Sequence, residues 1–362
     1  MKTLRLAVDQ DRLDTPGSRQ VIARAAQILR AGGLVAFPTE TVYGLGANAL
    51  DTAAVARIFA AKQRPSWDPV IVHIAGPVTH NPMLDSLVTS IPDSARKLIA
   101  AFWPGPLTLL LPRSAAVPDA VTAGRSLVGI RMPAHPVAFE LIRHAGVPVA
   151  APSANLFAHI SPTTAAHVLD DLDGRIDAIL DSGATVHGVE STVLDPCQNP
   201  MMIYRPGAVT TAQIQDIAGR VEIFQPSGKL VAGEALPSPG VGLRHYAPRA
   251  RLILIDSTLA DMPQFLADLA AGWADQRLGL MLPTELTLVE SLVSLQAAVF
   301  PWGHWADPEE LARNLYAGLR ALDARGCTVI LCPLPPAEGV GAAICDRLRK
   351  AAHRKPAQQD EK

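Results

Sequence analysis

The chain has 362 residues, of which 49% are apolar and 18% charged, with a mean hydropathy of +0.19. At about 150 residues per domain this predicts two globular domains and excludes wholesale disorder. Basic and acidic side chains number 32 and 34, divided 19 against 20 before Ala235 and 13 against 14 after it. Neither half is a basic arm, so contact with nucleic acid is expected to be local or transient, because bulk affinity for a polyanion rests on phosphate neutralisation.

Four cysteines, Cys197, Cys327, Cys332 and Cys345, show no CxxC spacing, which argues against a disulfide framework or a zinc site. The opening MKTLRLAVDQDRLD meets Asp9 and Asp11 before any apolar stretch, so no secretory leader is expected. The longest uncharged stretch, His144 to Leu169, carries Pro148, Pro152 and Pro162 and is unsuited to hydrocarbon. The cytoplasm is the expected compartment. Prolines number 31, nearly 9% of the chain against about 5% in average usage. Many close short apolar clusters, where they make stiff strand ends suited to holding a ligand.

In chain order, the spacing of Val21, Ile22, Ala25, Ile28 and Leu29 predicts a helix from Ser18, as N-cap, to Gly32 or Gly33. A strand Leu34–Phe37, a helix Asp51–Lys62 and a strand Val70–Ile74 follow. Next come a helix Pro92–Phe102, strands Leu107–Leu111 and Leu127–Met132, a helix Pro136–Ala145 and a strand Val147–Ala151. A helix from Thr163, short strands at Ala178–Leu180, Thr192–Leu194 and Met201–Tyr204, and a helix Thr210–Ala218 complete a mixed α/β unit, since several strands succeed one another without a helix. Gln225 to Arg249, rich in Pro, Gly and Ser, reads as a linker. After it the pattern restarts: strand Arg251–Asp256, helix Met262–Ala271, strand Arg277–Leu282, helix Pro308–Arg325, strand Thr328–Cys332 and helix Gly341–Ala352. This alternation predicts a small parallel sheet covered by helices, with a disordered tail after His353.

Five segments carry candidate chemistry. Pro38–Ala47 runs from a strand into two hydroxyls, a carboxylate, a phenol and two glycines, at the kind of strand end where open α/β sheets bind ligands; an ordinary turn is the alternative. Neither a Walker loop nor G-x-G-x-x-G occurs. Lys62-Gln63-Arg64-Pro65 places two cations at a helix end, where they either compensate the helix dipole or, turned by Pro65, stand beside the Thr39 loop. His73, inward on a strand, reads on its own as a satisfied core histidine. Ala150–Asn155 followed by Ser161-Pro162-Thr163 again breaks a strand into hydroxyls and amides suited to oxyanions. G-x-S-x-G is missing, so Ser153 is not read as a nucleophile. Val189–Thr192 and Tyr204–Gly207 each read as structural when taken alone. Arg131 lies inside an apolar strand and requires an anionic partner or exposure. Together Lys62, Arg64, Arg131 and Arg205, with many neutral donors and few carboxylates, suit a polyanion plus a small carboxylate-bearing molecule.

PTETVYGLGANAL, KQRP, VHI, FWPGPLTLLL, RMPAHPVA, PVAAPSAN, SPT, GVEST and RPGA, then SPG and RHYAP, occur in this order across two thirds of the chain. In this the sequence resembles the threonylcarbamoyl-AMP synthase family in its longer two-domain form. The resemblance implies a YrdC-like twisted mixed α/β sheet over residues 1–224 and a linker over the active site at 225–249. It also implies a smaller Rossmann-like parallel α/β domain at 250–353, ahead of the tail at 354–362. It implies condensation of L-threonine, bicarbonate and ATP, with Mg2+, to threonylcarbamoyl-adenylate and pyrophosphate, the product passing to a tRNA threonylcarbamoyl transferase complex. By the family pattern Lys62 and Arg64 are catalytic. ATP would be bound by Lys62, Arg64, Asp68, Leu127, Ser153, Asn155, Ser161, Arg205 and His245, and threonine by Thr41, His73, Arg131, Ala151 and Ser191.

Three positions depart from that pattern. Phe157-Ala158 replaces a Ser-Gly pair, Asp68 stands where asparagine is usual, and Val241-Gly242-Leu243 replaces Met-Lys-Tyr after SPG, which is expected to loosen the linker. A double-stranded RNA or tRNA binding module without adenylation activity is the alternative reading. A carbamoyl transfer enzyme of the hydrogenase-maturation kind is disfavoured, because acylphosphatase and zinc-finger segments are lacking.

Overall fold

The computed structural model describes residues 2–225, 235–238, 240–242, 245–273, 275–286 and 297–353. The expected tail at 354–362 and part of the linker lie outside the described residues. Two sheets organise the chain, one of eleven strands and one of four.

The strands and helices of the first part are β1 (Leu4–Ala7), α1 (Pro16–Arg30), β2 (Val35–Phe37), β3 (Gly44–Asn48), α2 (Thr52–Lys62), β4 (Val72–His73), α3 (Pro82–Leu87), α4 (Asp93–Phe102), β5 (Leu107–Pro112), α5 (Asp119–Thr122), β6 (Leu127–Arg131), α6 (Pro136–Ala145), β7 (Val149–Ala150), α7 (Ala165–Leu172), β8 (Ala178–Asp181), β9 (Thr192–Asp195), β10 (Met201–Arg205), α8 (Thr211–Ala218) and β11 (Val221–Ile223). They assemble in the order β1-β8-β2-β3-β7-β4-β6-β5-β9-β10-β11, with parallel and antiparallel pairs mixed. Side chains alternate between two faces, as the period of a strand requires. Val35, Phe37 and Val149 join the apolar layer under α1 and α6, whereas Ala36, Val72 and Ala150 join the layer under α2, α4 and α7.

Local chemistry fixes the helix ends. The N-cap of α1 is Thr15 with Pro16 in the first turn; Ser18, expected to cap, instead donates its backbone N–H to Thr15 Oγ1 at 3.3 Å. Asp51 caps α2, accepting from the backbone N–H groups of Ala53 and Ala54. That helix ends on Gln63 in the left-handed conformation at φ 53°.

The second part holds β12 (Arg251–Ile255), α9 (Met262–Ala271), β13 (Leu278–Pro283), β14 (Ala298–Gly303), α10 (Pro308–Ala324), β15 (Val329–Pro333) and α11 (Gly341–Ala352). The order β12-β15-β13-β14 is parallel throughout, as the alternation predicts. β14, not foreseen, contains Pro301 and occupies an edge, where a missing N–H is tolerated. α10 and α11 cover one face and α9 the other. The apolar layer beneath α10 and α11 continues into the first part through Val42, Ile160 and Val189, and takes in Tyr246 from the linker. No described helix is long and apolar enough to cross a membrane, and all four cysteines are free thiols.

β3 was also unforeseen, because its GLGAN sequence reads as loop. Packing explains the glycine at its centre. A Cβ on Gly46 would stand 2.7 Å from Phe37 Cε1 and 2.8 Å from Val149 Cγ1, whereas one on Gly17 in α1 would meet nothing within 4 Å. Gly46→Ala should therefore lower the unfolding free energy by about 1–3 kcal/mol through overpacking, while Gly17→Ala should raise it by about 0.5–1 kcal/mol. Urea denaturation measures both; equal effects of the two substitutions would refute this account of β3.

Candidate active site

The Pro38–Tyr43 turn joins β2 to its antiparallel neighbour β3 and is held by its own hydroxyls. Thr39 Oγ1 donates to the Val42 carbonyl at 2.7 Å, accepts the backbone N–H of Thr41, and lies 2.8 Å from Thr41 Oγ1. Tyr43 turns away and donates its hydroxyl to the Gly183 carbonyl at 2.7 Å. Opposite the turn, Arg131 leaves the end of β6. It donates to Thr41 Oγ1 at 3.0 Å and to the Gly105 carbonyl at 3.2 Å, and its third nitrogen lies 2.7 Å from Glu40 Oε1. The anionic partner that this buried arginine requires is thus a protein carboxylate three residues past the end of β2. Burial pushes Glu40 upward, but the Arg131 charge and hydrogen bond, together with backbone hydrogen bonds, leave the carboxyl below its ordinary value.

The left-handed turn at Gln63 sends the two cations of KQRP in different directions. Lys62 is buried beneath the loop after β7, where Nζ donates to the Ser153 carbonyl at 2.5 Å and to the Asn155 carbonyl. Burial, followed by the neighbouring Arg64 charge, drives its ammonium well below the ordinary lysine value. Arg64 faces inward, donating Nε–H to the Asp68 carbonyl at 3.1 Å and pairing with Asp68 Oδ1 at 2.8 Å. The acid at this position is therefore answered within its own turn, although burial still pushes its carboxyl above the ordinary value.

From the far side of the sheet, Arg205 at the end of β10 donates to the carbonyl and Oγ of Ser191, both at 3.0 Å, and Ser191 Oγ lies 2.8 Å from Thr108 Oγ1. Beside it Glu190 is fully enclosed. Ser161 Oγ donates to it at 2.6 Å, the Tyr316 hydroxyl at 2.9 Å, and Arg347 Nε at 2.7 Å. The last two come from α10 and α11, so this carboxylate is shared between the two parts of the chain.

These groups surround a cavity of about 50 Å³. Of the residues singled out in the sequence, Thr41, Arg64, His73, Arg131, Ala151, Ser153, Ser191, Arg205 and His245 line it. Burial, then Arg131, lowers His73 to about 3, so its imidazole is neutral near pH 7. The Ala151 N–H is taken by the Ile71 carbonyl at 2.8 Å. Lys62, Asp68, Leu127, Asn155 and Ser161 are not in the lining. Asn155 braces its own loop through the carbonyls of Leu156 and His159, Ser161 holds Glu190, and Leu127 begins β6 in a small apolar cluster with Leu110 and Val193.

The volume is small because the linker enters the cleft. Gly240, His245 and Tyr246 form one wall. Gly240, at φ +81°, lies so close to Arg205 that a Cβ there would stand 2.7 Å from Arg205 Cδ. His245 packs edge-on against Phe157, at 5.6 Å between ring centroids, and Phe157 also meets Trp67 and the Arg64 guanidinium. Phe157, at one of the departing positions, thereby ties the Asn155 loop to the linker. Neither ring nitrogen of His245 has a hydrogen-bond partner among the described residues. Further back, Arg125 donates to the Ala235 carbonyl and the Leu236 N–H to the Trp67 carbonyl at 3.0 Å. Glu40, Glu190, Tyr246, Tyr316 and Arg347 were not assigned from the sequence. Glu190 and Arg347 are 157 residues apart, and no local pattern marks such a pair.

Among the described residues no group of three or more His, Cys, Asp or Glu could hold a metal ion. The cavity thus offers three guanidinium groups, several hydroxyls and two neutral imidazoles, an arrangement able to bind and orient anionic groups without a protein nucleophile.

Comparison with known proteins places this geometry. Residues 27–207 match the family model described as "Telomere recombination", and residues 209–353 match "Threonylcarbamoyl-AMP synthase, C-terminal domain". Threonylcarbamoyl-AMP synthase of Bacillus subtilis is 43% identical over 97% of this chain and 98% of its own length, and that of Pyrococcus abyssi is 42% identical over 91% and 93%. The crystal structure of P. abyssi Sua5 complexed with L-threonine is similar at a TM-score of 0.85 and 40% identity, covering 97% of this chain and 98% of that one. The chain belongs to the threonylcarbamoyl-AMP synthase family.

Proposed function

We propose that the protein condenses L-threonine, bicarbonate and ATP to L-threonylcarbamoyl-adenylate and pyrophosphate. The product would be handed in the cytoplasm to a tRNA threonylcarbamoyl transferase complex that modifies the adenosine next to the anticodon. The observation that carries this reading is the convergence of Arg64, Arg131 and Arg205 with Thr41, Ser153 and Ser191 on one cavity, in a chain of this family.

The amine of threonine and bicarbonate join, with loss of water, to a carbamate. A carbamate oxygen then attacks the α-phosphorus of ATP, forming an O–P bond while the bond to the β-phosphate oxygen breaks. No protein nucleophile is needed; the site has to orient two anions and answer the charge that grows on pyrophosphate. Arg131, its guanidinium fixed by Glu40 and Gly105, faces the threonine carboxylate beside Thr41 and Ser191, and neutral His73 adds a polar contact without charge. Arg64 and Ser153 take the phosphates, with Lys62 releasing its two carbonyls to join them. Mg2+ arrives as part of the nucleotide substrate, held by phosphate oxygens and water, which suits a site whose carboxylates are already paired with arginines. A cavity of about 50 Å³ is far smaller than the roughly 300–1,000 Å³ of ordinary ligand sites, so the wall formed by Gly240, His245 and Tyr246 has to give way for substrates to enter. Chemistry falls to residues 1–224, and residues 250–353 dock against them.

Pyrophosphate release from ATP is expected to require both threonine and bicarbonate. ATP turnover that ignores threonine would overturn the assignment. Alanine at Lys62 or Arg64 should lower the turnover number by about 10²-fold or more, the scale for one transition-state charge contact. Turnover close to that of the unmodified protein in both variants would mean that these cations serve only the helix end and its loop.

A further inference from the structure

Helix α11 packs on the four-stranded sheet, yet two of its side chains hold, from behind, residues in the wall of the cavity built on the eleven-stranded one. Arg347, 1% exposed, donates Nε–H to Glu190 Oε2 at 2.7 Å, and its guanidinium lies 5.2 Å from the ring centroid of Tyr246. One turn later, Lys350 Nζ donates to the Gly240 carbonyl at 2.7 Å. Tyr316 of α10 completes the contact, donating its hydroxyl to Glu190 and stacking on Tyr246 at 5.8 Å between centroids. One helix face therefore holds a carboxylate in the cavity wall and two points of the linker that closes it.

Charge gives this contact a consequence for the reaction. Glu190 is the single carboxylate among the described residues of the cavity lining. A triphosphate would be repelled by it unless the charge is answered, and Arg205, on the same side of the contact, donates to the carbonyl and hydroxyl of Ser191. Burial alone would push the Glu190 carboxyl up; Arg347 first, and Arg205 after it, reverse this and leave it at about 2. The ion pair is thus intact across the physiological range.

We propose that Arg347 is a positioning residue for the reaction, answering the Glu190 charge from the neighbouring domain and seating the linker, so that it sets the affinity of the cavity for ATP. The identity of the ligand rests on the synthase reading above; the ion pair itself does not. A contact that merely glued the domains together would change stability and leave substrate affinity alone.

The experiment is a double-mutant cycle with Arg347→Met, Glu190→Gln and their combination, read as KM and kcat for ATP in pyrophosphate release, with folding checked by circular dichroism. Arg347→Met is expected to raise the KM for ATP about tenfold or more, a common size for coupling between sites, with a smaller change in kcat. The double variant, which leaves neither charge unpaired, is expected to recover most of that loss. An unchanged KM in Arg347→Met, or losses that simply add in the double variant, would overturn the proposal. Should Arg347→Met fail to fold, Tyr316→Phe keeps the ring and removes one donor to Glu190; a several-fold rise in the same KM supports the proposal and no rise overturns it. If the unmodified protein shows no threonine-dependent release, the synthase reading fails while the ion pair stays testable. Hydrogen exchange of the Ala247 amide, bonded to the Ala158 carbonyl at 2.9 Å, is then expected to quicken in Arg347→Met, and unchanged exchange would overturn the coupling to the linker.

Discussion

A carboxylate taken out of water has to be answered, and in this protein the answer to Glu190 comes from two places at once. Ser161 supplies one hydroxyl from a loop of the same part of the chain, while Tyr316 and Arg347 supply a hydroxyl and a guanidinium from two helices of the other. Removing one partner of such a buried pair typically costs about 3–5 kcal/mol, whereas replacing both by apolar groups is often neutral. The arrangement is therefore poor evidence of extra stability. It fixes how the two parts of the chain meet, with Val42, Ile160 and Val189 supplying the apolar contact around it.

The same logic governs the rest of the site. Among the described residues the cations at the cavity already have protein partners: Arg131 has Glu40, Arg64 has Asp68, Arg205 has Ser191, and Lys62 has the carbonyls of Ser153 and Asn155. Such pairing holds positive groups in place inside a buried space without requiring an anion to be bound. Paired groups also have to exchange partners when a polyanion enters, which costs binding energy and is repaid by orientation. The described residues of the linker are held by single backbone contacts, ring packing and Lys350, with Tyr246 also buried in the apolar layer beneath α10 and α11.

Much of the fold was legible because it follows from local periodicity. The helices at Pro136–Ala145, Met262–Ala271 and Gly341–Ala352 have the predicted bounds, and the strict alternation after the linker does correspond to a parallel sheet. β3 escaped because its central Gly46 serves close packing against Phe37 and Val149, which spacing along the chain does not reveal. The motif segments identified where the cavity lies. They did not reveal which way each side chain points, because that is decided by single backbone events such as the left-handed Gln63 that separates Lys62 from Arg64. Glu40 was visible as a carboxylate in its loop, but its pairing with Arg131 needs the strand order. The Glu190–Arg347 contact lies beyond any local pattern, since it depends on how two separately built sheets dock.

The central claim is that one cavity, closed by the linker, brings a threonine against the innermost phosphorus of ATP. A crystal structure with threonine and a non-hydrolysable ATP analogue tests it most directly. The account predicts the triphosphate against Arg64 and Lys62, the threonine carboxylate at Arg131, the linker over both, and Glu190 still held by Arg347. Ligands bound apart from each other, or outside the space between Thr41, Arg131 and Arg205, would contradict it.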